Sequence, residues 1–151
     1  MPEQRFKTLY GRCLCGAVEY RIPDALAYAG YCHCSDCRRF SGSAFSAYGG
    51  VQATDFDLTK GYDCITRYAK SEHTVLAFCR SCGSSLYAEK PSRGMIHVRL
   101  GTLDEVPTLT PQAHSFVGSK AGWFDVCDDL PQFETSRADG VLIDTKKPPE
   151  P

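Results

Sequence analysis

Long apolar runs are missing from this 151-residue chain. No stretch approaches the roughly 20 residues that a membrane-crossing helix needs, so no membrane partner is expected. Neither sign of charge dominates: 17 Lys and Arg stand against 18 Asp and Glu, for a formal net charge of -1. The basic excess that marks a general nucleic-acid binder is therefore absent, and no nucleic acid is expected as a partner. The opening MPEQRFKTLY carries charge with no apolar stretch behind it, unlike a secretory leader, and the expected setting is the cytoplasm. No long window shows the 3.6-residue period of an amphipathic helix. An even cysteine count is missing too: nine is odd, which excludes a fully paired disulfide framework within one chain.

What is present is a 42% apolar composition, enough for a core in one domain of ordinary size, and short alternating segments bounded by turn residues. AVEYRI puts Val18, Tyr20 and Ile22 on one face and Ala17, Glu19 and Arg21 on the other, the period of a half-buried strand. FSAYGGV, TVLAFC and SSLYAEK read as further strands. GMIHVRLGTLDE alternates Ile96, Val98 and Leu100 inward with His97 and Arg99 outward. SDCRRFSG is the best helix candidate, with Ser35 as its expected N-cap, and TLDEV is expected to add a helical turn. The fold class is thus mainly β, with antiparallel sheets and at most one or two short helices. A single domain is expected over residues 1–135, followed by an extended or disordered tail over 136–151, where TKKPPEP has little to bury.

Seven of the nine cysteines fall in tight clusters. RCLCG places Cys13 and Cys15 two residues apart, so in extended backbone both thiols project to one side. FCRSCG adds Cys79 and Cys82 at the spacing of a metal-binding knuckle, and Gly83 suits a turn that needs positive φ. Four thiolates make a closed, structural type of zinc site, clipping the N-terminal region to the middle of the chain. Arg12 and Arg80 are placed to offset its negative charge. Two unrelated pairs of buried cysteines, or a redox centre, remain open as alternatives.

YCHCSDCRRFSG holds a second cluster with only three cysteines, Cys32, Cys34 and Cys37. Catalytic zinc sites keep three protein ligands and leave a position for water or substrate. His33 lies between two of the cysteines and, in extended geometry, points away from them, which makes it a supporting group rather than a fourth ligand. Arg38 and Arg39 follow directly and suit an anionic substrate. From spacing alone a closed site recruiting Cys64, Cys127 or a histidine stays open. So do a redox switch and a zinc cluster of other connectivity.

Taken in order, GRCLCGAVEY, YCHCSDCRRFSGSAF, FCRSCGSSLY and HSFVGSKAGWFDVCDDLPQFE resemble the glutathione-dependent formaldehyde-activating enzyme family, which takes in the centromere protein V-like proteins. The resemblance covers residues 9 to 134. It implies a small fold similar to the Mss4-like fold, a tent of antiparallel sheets stapled by zinc, and two Zn²⁺ per chain. Cys13, Cys15, Cys79 and Cys82 would hold the structural ion, and Cys32, Cys34 and Cys37 the catalytic one. The implied activity is carbon–sulfur lyase chemistry run toward condensation, joining formaldehyde or a related small aldehyde to glutathione or another thiol. Three thiolate ligands donate heavily to a metal and blunt its Lewis acidity. Capture of the substrate thiol is therefore the favoured role. Arg38, Arg39 and Lys120 are the candidate partners for glutathione carboxylates. Trp123 is expected to be core packing, as is Cys127. Cys64, His73 and His97 are assigned no chemistry, and His114 is kept open because it begins the last matching block. A binding module without catalysis and a thiol redox protein are the competing functions.

Overall fold

Alternating apolar and polar side chains give this chain its strands, and the strands carry the cysteines. The computed structural model describes residues 5–145, and residues 146–151 of the expected tail lie outside them. Among the described residues the strands are β1 (Thr8–Arg12), β2 (Glu19–Pro23), β3 (Tyr28–Cys32), β4 (Ser46–Gln52), β5 (Asp57–Lys60), β6 (Ile65–Ser71), β7 (Thr74–Cys79), β8 (Ser85–Lys90), β9 (Met95–Arg99) and β10 (His114–Ser115). The helix α1 spans Ser35–Ser41. The chain is mainly β, as its pattern predicts, and divides into two compact units.

The first unit runs to Ala29 and again over Tyr48–Thr110. It holds an antiparallel three-stranded sheet in the order β1-β2-β5. It also holds an antiparallel run in which β9 pairs with β4 and β8, and β7 with β8 and β6. Its core contains Leu9, Val18, Tyr20, Ile22, Leu86, Tyr87 and Val98. The predicted inward face of β2 is the buried one. Tyr20 is fully buried, stacks on Phe56 at 5.1 Å, and satisfies its hydroxyl on Thr102 Oγ1 at 2.6 Å, as a buried phenol must. His97 is hydrogen-bonded through Nε2 to the Tyr28 hydroxyl at 2.6 Å and stacks on Tyr48. Arg99, expected to face outward, is buried: it ends β9 at the step into a 3-10 turn over Leu100–Thr102, where strand alternation stops. Of the TLDEV segment expected to add a helical turn, only Thr102 lies in this one; Leu103 to Val106 form a bridge, bends and irregular backbone.

The second unit comprises Gly30–Ala47 and the residues from Pro111 onward. Here β10 lies parallel to the end of β3, with His114 beside Tyr31 and Ser115 beside Cys32, so the strand pairing is mixed rather than wholly antiparallel. The interior is aromatic: Tyr31, Phe45 and Phe124 surround the buried rings of His33 and His114. The C-terminal segment folds back, with Phe133 bridged to Leu142 and a 3-10 turn over Arg137–Asp139.

Candidate metal centres and their family

The first centre belongs to the first unit. β1 ends at Arg12, and the chain turns through Cys13–Gly16: Gly16 N–H donates to the Cys13 carbonyl at 3.1 Å, and Val18 N–H donates to Cys13 Sγ at 3.3 Å. β7 ends at Cys79, and Gly83 N–H returns to the Cys79 carbonyl at 2.8 Å. Gly16 and Gly83 share φ +76°, a left-handed backbone that a Cβ would strain. Leu14 N–H donates to Ser84 Oγ at 2.9 Å and joins the two turns. The result gathers the sulfurs of Cys13, Cys15, Cys79 and Cys82 within 4.8 Å of one another. Cys13 and Cys15 sulfurs are 3.6 Å apart, and Cys15 and Cys79 sulfurs 3.8 Å.

Those separations suit a metal site. A disulfide needs about 2.05 Å, and all four cysteines are free. A tetrahedron with zinc–sulfur bonds near 2.3 Å has edges of about 3.8 Å, which the observed distances match. The donor chemistry agrees, since four soft sulfur ligands in a tetrahedral arrangement suit zinc or an iron–sulfur centre. The charges point the same way. The Ser84 hydroxyl, with the backbone N–H groups of Ser84 and Cys15, brings the Cys82 thiol down to about 5. The Ala17 N–H favours ionised Cys15, but desolvation and the neighbouring sulfurs push it up to about 11. Four touching sulfurs cannot all shed their protons unless a cation offsets the charge.

The second centre lies wholly in the second unit. Cys32 closes β3, and Cys34 sits just before α1 in extended backbone, φ -62° and ψ 154°. The N-cap is Cys34, not Ser35: its sulfur accepts from Cys37 N–H at 3.3 Å. The short link between strand and helix thus makes the middle cysteine both a cap and a member of the cluster. Cys32, Cys34 and Cys37 place their sulfurs within 4.8 Å of one another. Among the described residues no fourth Cys, His, Asp or Glu completes that group. Cys34 pushes the Cys32 thiol up, and Cys32 and Cys34 push the Cys37 thiol up, so all three can ionise together only beside a cation.

The residues around the trio divide sharply. Arg38 is half-buried, and its Nε is shielded from solvent with no hydrogen-bond partner among the described residues. Arg39 is exposed. Lys120, in the same unit, donates to the carbonyls of Ala121 and Phe124, so two of its three N–H groups are used in holding its own loop. Trp123 is 74% exposed, contrary to the expectation of core packing. The neighbouring Phe124 takes the interior place, packing on His33 and Phe45. Cys127 is exposed as well, contrary to the expectation of a buried thiol, with its sulfur 3.6 Å from the Asp125 carbonyl. Cys64 is half-buried against the first unit's core, His73 is exposed, and neither Cys64 nor Cys127 joins a sulfur cluster. Sequence reasoning did not find Asp128, whose carboxylate meets His114 Nε2 at 2.9 Å. Only its place in an acidic run, DVCDDLPQFE, marked it.

A small, mainly β chain with one four-sulfur and one three-sulfur cluster, each able to hold a metal ion, is the class that fold and site define. The chain belongs to the glutathione-dependent formaldehyde-activating enzyme family, whose sequence model matches residues 8–119. It is 24% identical over 134 residues to an uncharacterized lyase of Schizosaccharomyces pombe, covering 88% of this chain and 92% of that protein. A Penicillium rubens protein provisionally named a glutathione-dependent formaldehyde-activating enzyme is 31% identical over 115 residues, which cover 72% of this chain and 60% of that one. A crystal structure of a Rhodobacter sphaeroides protein superposes with a TM-score of 0.55 at 28% identity, over 66% of this chain and 91% of that one.

Proposed function

We propose that this chain is a zinc-dependent enzyme of the carbon–sulfur lyase type that joins formaldehyde, or a related small aldehyde, to the thiol of glutathione or a similar thiol. The observation that carries the reading is the three-sulfur cluster with no fourth donor among the described residues, set in a chain of this family. The names of the relatives, a lyase in one case and a formaldehyde-activating enzyme in another, support the reaction class. The balance is simple: the thiol S–H bond breaks, a carbon–sulfur bond forms, and the carbonyl oxygen takes up the proton as the hydroxyl of an S-hydroxymethyl adduct.

Cys13, Cys15, Cys79 and Cys82 would hold one ion as a staple, and Cys32, Cys34 and Cys37 a second. Zinc at the trio supplies positive charge that favours the ionised form of an incoming thiol. The remaining work falls to this chain's own residues. α1 holds Cys37 against Cys34 through the cap. Arg38, one residue further on, is half-buried on the same helix; its guanidinium can pair with a glutathione carboxylate. Arg39 adds an exposed positive charge that attracts the same anion over a longer range. A thiol held beside the trio and anchored by its carboxylate would face the aldehyde in a fixed geometry, the main advantage available to an addition that already runs slowly in water.

All nine cysteines are free, and free thiols persist in reducing compartments, which supports the cytoplasm as the setting. Among the described residues no helix is long and apolar enough to cross a membrane. The test is the rate of S-hydroxymethyl adduct formation from formaldehyde and glutathione, followed by exchange NMR with zinc-loaded protein. A rate above the uncatalysed one that vanishes in Cys34→Ser/Cys37→Ser is expected. An uncatalysed rate with both ions bound contradicts the reading.

A further inference from the structure

The trio accounts for three half-buried groups of the second unit, but not for its two buried histidines. His33 is fully buried and His114 nearly so, at 0% and 2% exposure. His33 Nε2 lies 2.8 Å from His114 Nδ1, and His114 Nε2 lies 2.9 and 3.0 Å from the two oxygens of Asp128. His33 Nδ1 is shut off from solvent and has no hydrogen-bond partner among the described residues. Two buried rings in line with a carboxylate carry a desolvation cost that packing alone does not explain, since an apolar residue would fill the same space.

We propose that Asp128, His114 and His33 form a hydrogen-bonded positioning chain that fixes one tautomer of His33 and thereby aims Cys32 and Cys34 at Cys37. The proton assignment follows from the donors available. A carboxylate only accepts, so His114 Nε2 carries a proton. A neutral ring has one N–H, so His114 Nδ1 accepts, and His33 Nε2 carries the proton between the rings. His33 Nδ1 is then a bare acceptor. The opposite arrangement, with His114 doubly protonated, would leave a buried N–H at His33 Nδ1 without an acceptor, which folded proteins tolerate less than an unmatched lone pair.

The mechanical consequence follows from the strand. Side chains alternate along extended backbone, so a ring directed inward at His33 sends Cys32 and Cys34 to the opposite side, where Cys37 meets them. The residue is anchored twice: its backbone N–H donates to the Ser115 carbonyl at 2.9 Å, and its ring bonds His114 through Nε2 at 2.8 Å. His114 is in turn held by its N–H on the Pro131 carbonyl and by Phe133 N–H on its own carbonyl, each at 2.8 Å. Asp128 is steadied by Leu130 N–H at 3.1 Å. Two residues after His114, Phe116 holds φ +56°, a left-handed conformation costly for a bulky side chain; such strain persists only where the surroundings over-determine the backbone. Groups behind metal ligands set ligand orientation, and their loss typically weakens metal binding 10–100-fold. His33, His114 and Asp128 are positioning residues by this argument. Their effect on catalysis rests on the trio being the thiol site proposed above; the tautomer and its hold on the cysteines do not.

The experiment uses the full chain loaded with metal. Long-range ¹H–¹⁵N spectra of the histidine rings should show Nε2 protonated and Nδ1 bare in both His33 and His114. Asp128→Asn, whose amide can either accept or donate, should release this constraint. It should speed loss of metal from the trio to a chelator about 10–100-fold, while the four-sulfur cluster releases its metal at the unchanged rate. Asp128→Glu should restore slow release. A protonated Nδ1 on His33 overturns the proposal. So does an Asp128→Asn protein that keeps the wild-type release rate, or one that loses both metals alike and is not rescued by glutamate. Failure of the wild-type protein to catalyse the condensation would sink the proposed function and leave these spectra and rates unmoved, so the two failures are distinguishable.

Discussion

Replacing Cys15 and Cys82 with serine removes one sulfur from each half of the four-sulfur cluster, and the loss follows from chain connectivity. Cys15 is exposed and Cys82 half-buried, so the substitutions themselves disturb little packing. An ion held by both pairs ties Cys15 to Cys79, 64 residues away. The chain-entropy relation for a cross-link of that length gives about 4 kcal/mol, and for a chain of this size each kcal/mol moves the melting temperature by about 2–4 °C. The double variant should therefore melt roughly 8–16 °C below the zinc-loaded parent. The matched perturbation is Cys34→Ser/Cys37→Ser. It opens a loop of only a few residues, for which closure entropy is smaller by about 2 kcal/mol, and serine at position 34 can still cap α1. Scanning calorimetry at saturating zinc measures both. Equal losses, or a larger loss in the trio variant, would refute the view that one cluster staples the fold and the other does not.

Three further outcomes follow from single residues. His97 is pushed down to about 3 by burial, then by Lys90, Arg99 and Arg93. Its folded-state value thus lies below the ordinary one near 6.5, and the unfolded chain takes up the proton first. The stability tied to neutral His97 is complete above about pH 6.5 and lost as the pH falls toward about 3; urea midpoints between pH 7.5 and 4.5 should fall less in His97→Gln than in the parent. Gly83→Ala meets open space but must hold φ +76°, so it should cost about 1–2 kcal/mol by denaturant titration. Trp123→Ala should change stability by less than about 0.5 kcal/mol, because that ring is exposed, and the parent's fluorescence should be that of a solvated indole.

The strands were legible where one face is buried: β2 follows the alternation of its sequence throughout and β9 as far as Val98, while β7 shows as a short apolar run. β6 was not, because nearly every side chain on it is exposed or half-buried and no alternation marks it. β10 is two residues long, and its pairing with β3 bridges positions more than eighty apart, too short and too distant a relation for pattern to show. Both sulfur clusters were legible because the spacing of their ligands is local within each pair or trio. The misread N-cap has a local cause: at the join of β3 and α1 the cluster sulfur outcompetes the neighbouring Ser35 for Cys37 N–H. Trp123 was expected in the core, where Phe124 packs instead, because adjacent aromatic residues look alike to any hydrophobic scale. The link from His33 through His114 to Asp128 is visible only in three dimensions, since its members are separated by 81 and 14 residues.

The central claim is that the trio holds a metal with a position that a substrate thiol enters. X-ray absorption on the zinc-loaded protein, with and without glutathione, addresses it directly. A four-sulfur and a three-sulfur site average about 3.5 sulfurs per zinc, and a bound thiol raises that to about 4. The account predicts this rise, and predicts that it disappears in Cys34→Ser/Cys37→Ser. A sulfur number that glutathione leaves unchanged would contradict it.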